Sequence, residues 1–230
     1  MRVSLNEIQV MCRKAFEGMG FAAGDCEDAA DMVGWLQQQG LDGMGALEKA
    51  LDYLQNETDQ PFALLYEDSA LLVIDTKGQS VLRCAETVVE FALSKALHGG
   101  QAVLQIHHCH NRLLLLGYLC QAAELGLDVQ ARWSDARQVH TASFTAGNSR
   151  PDLHLEEQPI AKPVEQSITV VFSRPAAPAR PQVSAQAALA QGFSVSEATW
   201  LRLKQLAEHV LVESTEASRR HGAGGGSDSD

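Results

Sequence analysis

Gln101-Ala-Val-Leu-Gln-Ile-His107, then Asn111-Arg-Leu-Leu-Leu-Leu-Gly-Tyr-Leu-Cys-Gln-Ala-Ala-Glu-Leu125, then Asp128-Val-Gln-Ala-Arg-Trp133 decide the fold. The outer segments have the length and apolar content of strands. The middle one is long enough for a helix, and Gly126 stops it. Upstream, Phe62–Leu65 and Leu71–Ile74 are short apolar runs that read as strands, and Ser80–Leu97 reads as a helix stopped by Gly99 and Gly100. Strand, helix, strand, helix, strand at this spacing predicts crossover connections and a mixed, partly parallel sheet.

Further out the pattern is helical. Ser4 and Glu7 form a capping box, followed by Ile8, Met11, Cys12, Ala15, Phe16 and Met19 at helical spacing. Asp25 is placed to cap a second helix that buries Cys26, Ala29, Ala30, Val33 and Leu36 and ends at Gly40. Ala46, Leu47, Ala50, Leu51 and Leu54 predict a third. Beyond Ser134, Val139–Thr145 and Ile168–Phe172 read as strands and Asn148–Val164 as loop. Ser196 and Glu197 open a final helix carrying Trp200, Leu203, Leu206, Ala207, Val210 and Leu211 inward. The expected class is α/β. A helical N-terminal lobe (1–56) precedes an α/β core (57–174), a Pro-rich linker (175–183), a C-terminal helical segment (184–218) and a disordered tail (219–230).

The 230 residues suffice for one substantial core. Eighteen basic against 29 acidic side chains leave a net charge of -11, which repels phosphate backbones and anionic lipid and argues against nucleic-acid binding. No apolar run has the length of a signal peptide or a membrane span. The five cysteines (Cys12, Cys26, Cys84, Cys109 and Cys120) show no disulfide spacing, so reduced thiols and a cytoplasmic location are expected.

His107, His108, Cys109 and His110 form the densest cluster of chemistry-bearing side chains. If the strand continues through His110, alternation puts His107 and Cys109 on one face and His108 and His110 on the other. Two ligands per face fall short of a structural zinc site unless His140, His154 or an acid completes it, so no metal is expected. Cys109 as a nucleophile beside a histidine lacks a third member and an oxyanion site. Arg112 stands where a helix begins, and its guanidinium with nearby backbone N–H groups suits an anion. Asp75 and Lys77 lie in another strand-to-helix turn and read as solvated.

Residues 71–127 carry a recognisable pattern. Gly78-Gln79, a helix with Lys95, Gly99, an apolar strand, Asn111 and then Gly117-Tyr118, Ala122-Ala123-Glu124 and Gly126-Leu127 follow in that order. The pattern resembles the type-2 malate/L-lactate dehydrogenase family, which is NAD(P)-dependent, across residues 5–133. Leu41-Asp42-Gly43-Met44-Gly45 resembles that family's Val-Asp-Ser-His-Gly segment. The chain is also similar to a short bacterial family of unknown function, read here as a divergent branch.

The departures carry the functional expectation. The resemblance places Met44 at the family's proton-transferring His, and a thioether has no proton to exchange. It places Gln39 at a substrate-holding Arg. Arg112 stands at the His of Asn-His-Phe-Gly, with Leu113 and Leu114 for Phe and Gly. These changes imply an oxidoreductase-like pseudoenzyme: a non-catalytic small-metabolite-binding or auxiliary protein with no resident catalytic group. Its ligand contacts are expected from Asp42, Met44, His110, Asn111 and Arg112. No cofactor is expected unless ancestral NAD(P) binding is retained. The family implies a homodimer, and Arg112 implies a small anionic metabolite. One alternative is an active NAD(P)-linked oxidoreductase on a small 2-hydroxy or 2-oxo acid, with its acid/base relocated to His107, His108 or His110. Another is a subunit that modulates a full-length dehydrogenase.

Overall fold

The computed structural model describes residues 1–58, 60–157, 166–175 and 192–210. In chain order its elements are β1 (Arg2–Val3), α1 (Leu5–Gly18), α2 (Ala23–Gln38), α3 (Gly43–Leu54), β2 (Ala63–Glu67) and β3 (Leu71–Asp75). Then come α4 (Ala85–Gly99), β4 (Gln101–His107), α5 (Leu116–Glu124), β5 (Asp128–Ser134) and β6 (Gln138–Phe144). β7 (Asp152–Glu157), β8 (Ile168–Ser173), β9 (Phe193–Ser194) and α6 (Glu197–Glu208) complete the set. The protein is α/β, with a mixed seven-stranded sheet ordered β2-β3-β4-β8-β5-β6-β7. Among the described strands only β3 and β4 pair in parallel, joined across α4; the other neighbours in the sheet are antiparallel. β8 lies between β4 and β5, so the crossover through α5 spans one strand position.

One face of the sheet is buried. Ile74, Leu104, Ile106, Val170, Phe172, Ala131, Trp133 and Phe144 lie on it and join the helices in a single hydrophobic cluster. α2 crosses closely over α5, and the closeness has a sequence cause. A Cβ on Gly117 would meet the backbone of Met32, so only glycine permits the approach. Trp35 of α2 then reaches Phe144 of β6, 6.0 Å between ring centroids.

The capping box forms as read: Ser4 N–H donates to Glu7 Oε2 (2.8 Å) and Glu7 N–H to Ser4 Oγ (3.2 Å). Asp25 does not cap α2. The helix starts two residues earlier, after Ala22, and Asp25 sits within its first turn. The Ser80–Leu97 and Asn111–Leu125 helices each open with a tight 3-10 turn, at Val81–Arg83 and Arg112–Leu115. Residues 152–157 form β7 where a loop was expected. This edge strand is exposed along its whole length, Leu153 and Leu155 included, so its hydrogen bonds to β6 rather than burial hold it. The remainder of that stretch (158–164), Pro178, Pro181, Leu211 and the tail lie outside the described residues. No helix among the described residues is long and apolar enough to cross a membrane.

Candidate functional site

The turn between α2 and α3 is built on backbone geometry. Asp42 adopts a left-handed conformation (φ 48°) and its carboxylate accepts from Gly45 N–H at 3.1 Å, capping α3. Gly43 passes so close to the Val33 carbonyl that a Cβ would not fit. Met44 N–H donates to Gln37 Oε1 (3.0 Å), and the Met44 side chain is buried in the core.

The β5–β6 hairpin supplies the opposite wall. Asp135 Oδ1 accepts from Arg137 N–H and Gln138 N–H, both at 2.8 Å, closing the turn. Its Oδ2 lies 2.9 Å from His140 Nε2. The hydrogen bond to His140, helped by the turn N–H groups, holds the Asp135 carboxyl down at about 2. Trp133 and His140 are paired in register across the hairpin, and their rings stack 5.1 Å apart at 4°.

Asn111 and Arg112 close the site. Asn111 is left-handed (φ 59°) and its buried Oδ1 has no hydrogen-bond partner among the described residues. Arg112 is half-buried, and burial pulls its guanidinium below the ordinary value, with the negative charge of Asp135 among the opposing influences. A cavity of about 450 Å³ lies between these elements. Asp42 and Lys49 border it on the α3 side, Asn111, Arg112 and Leu113 at the turn, and Trp133, Asp135 and His140 at the hairpin. That volume lies within the ordinary range for a small-molecule site. The arrangement offers two cations, Lys49 and Arg112, an imidazole oriented by a carboxylate, and an aromatic wall.

The histidine cluster does not act as a unit. β4 ends at His107, and His108 turns left-handed (φ 51°), so alternation stops there. His108 is exposed, with Nδ1 2.9 Å from Asp75 Oδ1. Asp75 also accepts from Lys77 N–H at 2.7 Å, the main influence that lowers its pKa. His110 stacks on Tyr53 at 4.7 Å, and burial followed by the charge of Arg112 lowers its pKa. Cys109 is fully buried, which pushes its thiol up to about 12, the reverse of what a nucleophile requires. His154 lies on edge strand β7, opposite Thr141. Among the described residues no group of three or more His, Cys, Asp or Glu is arranged to hold a metal ion.

Asp42, Asn111 and Arg112 therefore border one cavity, while Met44 and His110 are not among its lining residues. Lys49, Trp133 and Asp135 were not singled out from sequence, and His140 was considered only as a distant metal ligand. The Ser134-Asp135-Ala136-Arg137 turn signal could have set the register that brings Trp133 opposite His140.

Residues 3–87 match a family model described as "Protein of unknown function (DUF3726)". No curated protein sequence matches the chain. Among solved structures, it is similar to a dehydrogenase from Sinorhizobium meliloti, with 13% identity over 90% of this chain and 99% of that one and a TM-score of 0.67. The malate dehydrogenase of Entamoeba histolytica aligns with 8% identity over 94% and 99% of the two chains, TM-score 0.67. The sulfolactate dehydrogenase of Methanocaldococcus jannaschii aligns with 10% identity over 91% and 97%, TM-score 0.63. At these identities the likeness is one of fold.

Proposed function

We propose that this chain is a divergent relative of the malate/lactate dehydrogenases that binds a small carboxylate in the Arg112–His140 cavity without carrying out the family's hydride transfer. The observation that carries the reading is the grouping of Asn111, Arg112 and the Asp135–His140 pair around one cavity, while Met44, at the position of the expected acid/base, is buried. Arg112 anchors the carboxylate, and its half-buried setting strengthens the attraction over that of an exposed cation. Leu113 lines the cavity and Leu114 is buried where the resemblance expects Phe and Gly. A bulky side chain at the position where the resemblance expects Gly supports a reading that requires no nicotinamide.

L-malate and 2-oxoglutarate, tested one at a time, should raise the melting temperature of the wild type, because a ligand that binds only the native state stabilises it. Arg112→Gln should abolish both shifts. Shifts that survive the substitution would place the binding elsewhere, and no shift with either compound would overturn the reading. One observation favours a second reading, an oxidoreductase with a relocated acid/base: His140, oriented by Asp135, borders the cavity, whereas His108 and His110 do not. NAD(P)H oxidation with a 2-oxo acid at ordinary enzyme rates would replace the first reading with this one.

A further inference from the structure

We propose that the cavity takes an aryl carboxylate, a single carboxylate carrying an aromatic ring, in preference to a dicarboxylate. The inference rests on the carboxylate-binding reading above and adds the body of the ligand to its anchor. Its basis is the apolar part of the lining. Leu41, Ala46, Leu113, Leu114 and Trp133 all border the cavity. Leu41, Ala46 and Leu113 are only partly buried, and each packs against the hydrophobic core. The core therefore continues into the cavity wall, and these three leave apolar surface uncovered there. They come from the α2–α3 turn, from α3 and from the turn before α5, so the apolar lining arises from the assembled fold and not from one segment's composition.

Charge limits the ligand to one carboxylate. Lys49 and Arg112 are balanced in the lining by Asp42 and Asp135. A first carboxylate at half-buried Arg112 meets no excess of negative charge. A second would enter beside Asp42 and Asp135, with only the exposed Lys49 to offset them. It would also give up hydration against Leu41, Ala46 and Leu113, whose side chains have no donor to replace it. An aromatic ring carries no such cost, and it removes apolar surface from water. The hairpin wall favours a flat group. Trp133 and His140 stack at 4° and both border the cavity, while Asp135 is taken up within the hairpin by two backbone N–H groups and His140. Ring against ring is an arrangement that aromatic groups favour. A cavity of about 450 Å³ has room for a ring beside the carboxylate.

The test is calorimetric titration of the full chain with phenylacetate and with succinate, at about 0.15 M salt so that long-range charge effects are screened. Phenylacetate should bind about tenfold or more tightly than succinate, the least that burial of a phenyl ring is worth. Ala46→Leu, which fills the space beside the ring, and Leu113→Asn, which makes the wall polar, should each lower that ratio severalfold. Thermal melts establish that each variant is folded, and either one that folds suffices. A wild-type ratio near one or in favour of succinate, with Arg112-dependent binding of both acids, overturns this inference and leaves the binding reading standing. A high ratio that neither variant lowers also overturns it, because the ring then sits elsewhere. If Arg112→Gln leaves phenylacetate bound as before, or if neither acid binds the wild type, the binding reading fails and takes this inference with it.

Discussion

The His140 ring lies flat on Trp133, with 5.1 Å between centroids and 4° between planes, because β5 and β6 pair these two residues directly across the hairpin. Trp133 is buried and His140 half-buried, so the stack is the seam between the core and the cavity wall. A one-residue slip of the hairpin would put His140 on the other face of the sheet and separate it from both the Trp133 ring and the cavity.

The stack should be measurable as a coupling. His140→Ala, Trp133→Leu and the double variant, compared by urea denaturation, should give a coupling of about 0.5–1.5 kcal/mol, the usual worth of a stacked aromatic pair beyond its buried area. A coupling near zero would reduce the pairing to an accident of register.

Arg83 and Glu57 form a buried ion pair at 3.3 Å, with both side chains under a tenth exposed. Arg83 also lies over the Phe21 ring at 3.9 Å, so it ties the α1–α2 turn to the segment after α3. Burial raises the pKa of the Glu57 carboxyl, while Ser80 N–H and Arg83 lower it. Arg83→Met removes the cation and leaves a buried carboxylate, which should cost about 3–5 kcal/mol near neutral pH. A raised acid is better tolerated when protonated, so the loss should shrink as pH falls from neutral into the acid range. Urea denaturation at two pH values checks both statements, and an equal loss at each would show that packing dominates.

The β4 and β5 strands and the two crossover helices were legible because apolar runs of strand length and helical spacing are local signals. The placement of β8 between β4 and β5 was not, since that pairing joins residues far apart in sequence. The histidine cluster misled through one backbone angle. The left-handed turn at His108, with its carbonyl accepting from Thr76 Oγ1 (2.7 Å) and Gly78 N–H (2.8 Å), ends the strand and scatters the side chains. Arg112 was legible from its place where a helix begins, and Asp42 and Asn111 through the resemblance. Trp133 and Asp135 depend on hairpin register, which composition does not state.

Asp28 is the clearest pH-sensitive group away from the cavity. Burial, reinforced by the neighbouring Glu86, raises its carboxyl to about 6. Its pKa is raised above the unfolded value of about 3.9, so the protonated form favours folding below that point. This contribution is lost as pH rises through about 6. Asp28→Asn should therefore be more stable than wild type near pH 7.5, by about 1 kcal/mol once solvent screening is allowed for. The difference should close towards about pH 4, where the unfolded carboxyl also becomes protonated. Thermal melts across this range decide it; a gap that stays constant with pH would assign the effect to something other than this titration.

Asp42 brings stability and ligand charge together at one residue. Its left-handed backbone disfavours most side chains, and its carboxylate caps α3 through Gly45 N–H. Asp42→Ala loses the cap and keeps the strained backbone, which should cost about 1–2 kcal/mol. Asp42→Gly loses the cap but relieves the backbone, so its cost should be smaller, within about 1 kcal/mol. Asp42→Asn keeps a capping oxygen and tolerates the left-handed conformation, so stability should hold within about 0.5 kcal/mol. Only this last variant also isolates the charge. It removes an anion from the wall of a cavity that also presents Lys49 and Arg112. If the cavity binds a carboxylate, affinity for 2-oxoglutarate should rise severalfold in Asp42→Asn, and more so at low ionic strength, where screening is weakest. An unchanged affinity at low salt, with stability preserved, would separate Asp42 from the ligand and confine it to capping α3.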